Sequence, residues 1–245
     1  MNAETLHILS LDTTSRHSSI SVSRGDDVRV EYNFTSLDTL STILIPALEF
    51  VLKSVDMKPG DIDVYGITTG PGLFTGIRVG LSALKGLLFG LGKPVVPVTT
   101  PRALAHKCMD METGSTIIPL IDARRDEVYF AVYKRLDVTF EDISPPRLIS
   151  IDDLPGNLDN VENLYFVGSG AEIHRAKIDA RFGTGKIVSR SSFLAAETCK
   201  ITYMEYLDGN YITDLQKLMP VYIRKPDAEL NFRHKDTKTQ KKHSL

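Results

Sequence analysis

The first third of the chain reads as short apolar runs and alternation before any helical spacing sets in. Residues 7–11 form an apolar run ending at Asp12, residues 18–23 alternate apolar and polar, and residues 28–34 make a third extended segment. Arg24-Gly-Asp-Asp27 is a turn between the last two, so the pattern predicts an antiparallel meander. The tight loop between the first two strands is then Asp12-Thr-Thr-Ser15. From about residue 38 the spacing changes. Leu40, Ile43, Leu44, Ala47, Leu48, Val51 and Leu52 recur as they would on more than one face of a helix. Pro46 within that helix predicts a kink or a late start.

A β-favouring segment at 64–69 runs into Gly70-Pro-Gly-Leu-Phe-Thr-Gly76, the pattern of strand, turn and helix. Glycines at 70 and 72 allow backbone angles that other residues reach only at a cost. Thr75 is the expected N-cap. Ile77, Leu81, Leu84, Leu88 and Leu91 mark one apolar stripe, and Gly76, Gly80 and Ala83 a neighbouring stripe with almost no side chain. A Gly-rich turn before a helix suggests a phosphate cradle. Its pattern, G-x-G-x-x-x-G, is one residue too long for the dinucleotide fingerprint and lacks the Lys-Ser/Thr of a P-loop. Close packing at a helix start is the simpler reading. A strand at 95–99 completes a βββαβαβ order, that of a ribonuclease-H-like unit.

Thr100-Pro101 reads as a second helix start, and the expected lobe boundary falls there. This gives an N-terminal lobe at 1–100, a C-terminal lobe at 101–224 and a basic tail at 225–245. The second lobe is expected to hold strands at 117–121 and 127–133, joined by Asp122-Ala-Arg-Arg-Asp126. Charged, Pro-containing sequence follows to 163, then a strand at 164–167 entering Gly168-Ser-Gly170, a helix over 192–207, and a last ordered element at 221–224. The two halves read as distant versions of one unit.

Composition narrows the chemistry. The 245 residues, 42% hydrophobic and 24% charged, suit one large domain or two small ones. A net charge of −2 supplies no global basic field of the kind that drives nucleic-acid binding. Cys108 and Cys199 stand in no metal or redox spacing, which fits reduced thiols and a cytoplasmic location. No secretory leader and no membrane span is read. The six histidines form no HxxxH or HExxH pair, so no metal is expected. Asp12, Thr13, Thr14 and Ser15 form a candidate phosphate hairpin, with local turn bonding as the alternative. The matching hairpin of the second lobe has no glycine. There Arg124 offers anion contact, or pairs with nearby carboxylates.

Four blocks stand in order: Ile8-Leu-Ser-Leu-Asp-Thr-Thr-Ser15, Gly70-Pro-Gly-Leu-Phe-Thr-Gly-Ile-Arg78, Pro119-Leu-Ile-Asp-Ala-Arg124 with Glu127-Val-Tyr129, and Pro220-Val-Tyr-Ile-Arg224. Together they resemble the bacterial TsaB (YeaZ) family over about residues 6–224. The resemblance implies an actin-like (ASKHA) fold of two ribonuclease-H-like lobes. It also implies membership of the complex that makes threonylcarbamoyladenosine in tRNA. There a TsaB-type subunit is a non-catalytic partner of the paralogue TsaD, with the ATPase TsaE joining them. ATP/ADP and metal would belong to those partner subunits, and tRNA would be met only through the complex. The catalytic paralogues carry an HxxxH metal pair on the first long helix, where this chain reads Leu40-Ser-Thr-Ile-Leu44. Asp12, Thr13, Thr14, Ser15, Gly70, Gly72 and Arg124 would then be a vestigial nucleotide cleft. The partner face would be Leu40, Ile43, Leu44, Ala47, Phe74, Arg78, Leu81, Ser82 and Lys85, also used for a homodimer when the subunit is alone.

Two other classes compete. An ATPase or kinase would use Asp12 and the Gly-rich loop. A peptidase would need a metal or nucleophile constellation that the chain does not display. The tail beyond 224 carries six Lys/Arg against three Asp/Glu. It reads as solubilising, with phosphate attraction to tRNA as the alternative.

Overall fold

The computed structural model of the chain describes residues 5–35, 40–158 and 163–224. The predicted meander is present as β1 (His7–Asp12), β2 (His17–Arg24) and β3 (Asp27–Thr35), all antiparallel. β4 (Val64–Thr68) joins β1 in parallel, and β5 (Val95–Val98) joins β4. The resulting order, β3-β2-β1-β4-β5, is ribonuclease-H-like. Helices α1 (Leu40–Ser54) and α2 (Phe74–Leu88) cover one face of this sheet. The expected start of α1 near residue 38, like the basic tail, lies outside the described residues. Pro46 sits on the exposed side of α1, and the helix continues through it.

Period-two alternation decides which side chains meet which layer. Leu9, Leu11, Tyr65 and Ile67 face α1 and α2, while Ile8 and Val64 face the opposite way. That second face meets α3 (Thr100–His106) and α6 (Ala195–Leu207), which lie between the two sheets. The second sheet is β6 (Thr116–Asp122), β7 (Glu127–Arg135), β8 (Phe140–Ser150) and β9 (Leu164–Val167), ordered β8-β7-β6-β9. It repeats the first four places of the first sheet. A single parallel bridge from Phe166 to Ile187 stands where β5 stands in the other. On its outer face are α4 (Ser169–Ile173) and α5 (Arg175–Phe182), contributing Ala171 and Ile178 to a third core cluster.

Several expectations need correction. Thr75 does not cap α2; Leu73 holds the N-cap position without a side-chain bond. Leu91 lies beyond the end of α2 and is exposed. Thr100 is already inside α3, with Thr99 before it. The stretch after 134 contains β8, hidden from sequence because an edge strand exposes side chains and tolerates Pro145 and Pro146. Helices α4 and α5 were also missed, since Ile178 is the only buried residue that α5 offers as a pattern. Residues 221–224 are irregular.

Helix α6 begins at Ala195, not 192, and a distant residue sets that start. The Ser19 hydroxyl on β2 accepts from the backbone N–H of Leu194 and Ala195 at 3.1 and 2.9 Å. It does from another strand what an N-cap does locally. Ser19→Ala is expected to lower stability by about 1–2 kcal/mol, because two buried donors lose their acceptor. A urea midpoint that does not move would remove this role. Gly66 of β4 lets α6 lie close: a Cβ there would stand 2.0 Å from Thr202 Oγ1 and 2.3 Å from Ser10 Oγ.

Candidate functional site

The carboxyl ends of β1 and β4 lie side by side, the place where open α/β sheets receive ligands. Asp12 ends β1, and alternation turns it toward the same side as Ser10 and Ile8. Its Oδ1 accepts from the Thr14 N–H at 3.0 Å, from the Thr14 hydroxyl at 2.7 Å and from the Thr68 hydroxyl. Oδ2 is buried without a hydrogen-bond partner, and the residue is 0% exposed. Burial therefore pushes the carboxyl above its usual range, against the opposing pull of the Thr68 and Thr14 bonds. Thr68 is the participant that sequence reading missed; a hydroxyl at the end of the neighbouring strand was the available signal.

The Gly-rich turn packs on this loop. A Cβ on Gly72 would stand 2.2 Å from the Thr14 carbonyl oxygen, and one on Gly76 2.2 Å from that of Thr13. The Leu73 N–H donates to the Thr14 carbonyl at 2.7 Å, and the Thr13 hydroxyl donates to the Gly76 carbonyl at 2.9 Å. Gly80 meets the Thr13 side chain. The glycines at 72 and 76 thus serve close approach of the first hairpin, and their backbone faces that hairpin. Gly70, at φ 107°, turns the chain, with the Val221 carbonyl within 2.9 Å of where its Cβ would be. Ser15 bonds locally with His17 and is not drawn into the Asp12 network.

The second lobe repeats this arrangement. Gly168 sits at φ 105° with the Leu120 carbonyl 2.6 Å from its Cβ position, and Ser169 Oγ accepts from the Asp122 N–H at 3.1 Å. Its hairpin lacks glycine, yet Arg124, Arg125 and Asp126 all take left-handed angles, at φ 62°, 59° and 56°. The Arg124 N–H is held by Asp122 Oδ1 at 2.9 Å, and its side chain is exposed. The structure brings Asp12, Thr13, Thr14, Gly70 and Gly72 together and leaves Arg124 on the facing lobe. As folded, the Gly-rich turn is closed on the first hairpin, and one Asp12 oxygen already accepts from three donors while the other stands buried with no hydrogen bond among the described residues. Among the described residues no cluster of three or more His, Cys, Asp or Glu could hold a metal ion.

On the outer side, α1 and α2 lie next to each other. Leu44, Ala47 and Leu81 are core, at 1%, 5% and 4% exposed, and so lie beneath the expected partner face instead of on it. Leu40, Ile43, Phe74 and Lys85 are half-buried, and Arg78 and Ser82 are exposed. Ile45 adds exposed apolar surface within the expected stretch of α1, and Phe50, Leu73 and Phe89 add more beyond the expected face. At the start of α2 the Phe74 ring is stacked on Tyr222, centroids 4.9 Å apart, and the Arg78 guanidinium lies 4.8 Å from the Phe74 centroid.

The paired sheets, the α3 and α6 layer between them and the two facing hairpins define an actin-like (ASKHA) protein of two ribonuclease-H-like lobes. A family model described as TsaD, tRNA N6-adenosine threonylcarbamoyltransferase, matches residues 37–230, and the chain belongs to that family. Within it the chain falls in the TsaB (YeaZ) group. It is 26% identical to the tRNA threonylcarbamoyladenosine biosynthesis protein TsaB of Bacillus subtilis, over 92% of this chain and 97% of that protein. TsaB of Haemophilus influenzae is also 26% identical, over 90% and 94%. The solved structure of YeaZ from Pseudomonas aeruginosa has the same fold, with a TM-score of 0.75 over 89% of this chain and 99% of that one at 21% identity. No helix among the described residues is long and apolar enough to cross a membrane.

Proposed function

We propose that this chain is a non-catalytic subunit of the cytoplasmic machinery that forms threonylcarbamoyladenosine in tRNA. It binds and stabilises a catalytic paralogue of the TsaD type. The observation that carries this reading is the closed state of the site. The first hairpin is filled by the Gly-rich turn, and one oxygen of Asp12 is committed to Thr14 and Thr68. A fold whose ligand-side loops close on themselves offers its outer helices instead. Exposed apolar side chains on α1 (Ile45, Phe50) and at the two ends of α2 (Leu73, Phe89) have the character of a partner surface. Nucleotide and metal would belong to partner subunits, including a TsaE-type ATPase, and tRNA would be met through the complex. The same helices serve self-association when the chain is alone.

The decisive experiment is threonylcarbamoyl transfer to tRNA in a reconstituted mixture with and without this chain. Transfer that collapses on omission and returns on addition supports the reading. Transfer indifferent to the chain overturns it. Arg78→Glu reverses an exposed charge at the Phe74 stack. It is expected to weaken the paralogue's affinity by at least about tenfold while the thermal midpoint stays put. Equal affinities would move the interface elsewhere. Tight Mg-ATP binding by the isolated chain, abolished by Asp12→Ala, would favour the kinase alternative.

A further inference from the structure

The last described residues run from one lobe to the other. Ile212 pairs with Val95 on the edge of the first sheet, and Leu215 and Leu218 pack in the first lobe's core. The Val221 N–H then donates to the Thr69 carbonyl at 2.8 Å, and Tyr222 stacks on Phe74. Two residues later the chain has crossed the cleft. Arg224 Nη1 donates to the Ala123 carbonyl at 2.6 Å, and Nη2 pairs with the Glu127 carboxylate. Ala123 and Glu127 are the two ends of the β6–β7 hairpin, joined to each other by the Ala123 N–H to the Glu127 carbonyl at 2.9 Å. One guanidinium therefore grips both ends of the turn that holds three consecutive non-glycine residues at positive φ. Left-handed angles at such residues persist only where surrounding contacts impose them.

We propose that residues 220–224 are a releasable clasp between the lobes. Val221 and Tyr222 anchor it to the first lobe, and Arg224 is the end that lets go. The division follows from the kind of contact each end makes. The anchor is a strand-end backbone bond and a ring stack, beside a glycine turn with no room for a side chain. The far end is a charge pair and one bond to a carbonyl, held by side chains that keep 21% and 35% exposure, so salt screens the pair as it does not screen a backbone bond or a ring stack. A clasp of this kind fixes the β6–β7 hairpin and closes one side of the cleft. Opening it frees both without unfolding either lobe.

The test uses the isolated full chain and two readouts. Amide exchange by NMR at Ala123 and Glu127 reports the hairpin. Arg224→Ala is expected to raise it by about tenfold or more, while amides of β1 and β4 hold their protection. Glu127→Gln keeps the shape without the charge and is expected to give a smaller rise, and high salt the same in the parent chain. The second readout is the distance between spin labels at Asn33→Cys on β3 and Glu141→Cys on β8. Cys108 and Cys199 are both 0% exposed and would not take label. Arg224→Ala is expected to broaden a narrow distribution. Unchanged exchange at Ala123 and Glu127 overturns the clasp, as does an unchanged distance distribution. A uniform rise in exchange across all strands would mean simple destabilisation, and it too counts against the clasp.

Discussion

Gly76→Ala is expected to destabilise the protein by about 2–4 kcal/mol, although helix propensity alone predicts a gain of up to about 1 kcal/mol. The residue is in the first turn of α2, where alanine restricts the unfolded chain and favours the helix. Against this, the added carbon would stand 2.2 Å from the Thr13 carbonyl oxygen. That atom is backbone at the end of β1 and cannot swing aside as a long side chain would. To relieve the contact, α2 must lift from the hairpin, breaking the Thr13 hydroxyl bond to the Gly76 carbonyl at 2.9 Å. The internal control is Gly86→Ala in the same helix, where nothing lies within 4 Å of the new carbon. It is expected to stabilise by about 0.5–1 kcal/mol, the propensity term unopposed. Chemical denaturation of both variants decides the matter. If both stabilise, the glycine stripe is not a contact surface.

Asp12→Ala is expected to cost about 3 kcal/mol or more, since three buried donors lose their acceptor. Asp12→Asn behaves differently because all three bonds converge on Oδ1, and an amide oxygen in that place keeps them. The carboxyl's folded pKa is raised above 3.8 by burial, so the unfolded chain releases this proton at lower pH than the folded one. The stability linked to the group is therefore complete below the unfolded value and lost as pH climbs through the folded one. Asparagine has nothing to titrate. The variant's stability relative to the parent is thus expected to rise with pH across that window and level off above it. Denaturation at a series of pH values measures the difference directly. A difference that stays flat would show that Asp12 is as ready to ionise folded as unfolded.

These two sites show how far reading residues could go. The strands of the meander were legible because alternation is local and one face of each is buried. The apolar stripe of α2 was legible through Leu88, and the glycine stripe suggested close packing. What lay against the glycines was not, since Thr13 stands 63 positions before Gly76. Asp12 was singled out as a chemical candidate on its residue type and hairpin. Its actual state depends on Thr68, which is 56 positions away. In the expected partner face, spacing placed Leu44, Ala47 and Leu81 on the same helices as Arg78 and Ser82. Only burial separated the residues that support the face from those that form it.

By itself, then, the sequence determined the ribonuclease-H-like order of the first lobe, the close-packing character of the Gly-rich turn and the family to which the blocks belong. Periodicity, turn chemistry and ordered motifs are properties of neighbouring residues, so they survive without coordinates. The tertiary structure decided the rest. It placed β8 at an exposed edge, set the start of α6 from Ser19, focused three donors on one oxygen of Asp12 and carried Arg224 across the cleft to Ala123 and Glu127. Each of these is a contact between segments far apart along the chain, and its existence depends on how the lobes pack, which no local pattern records.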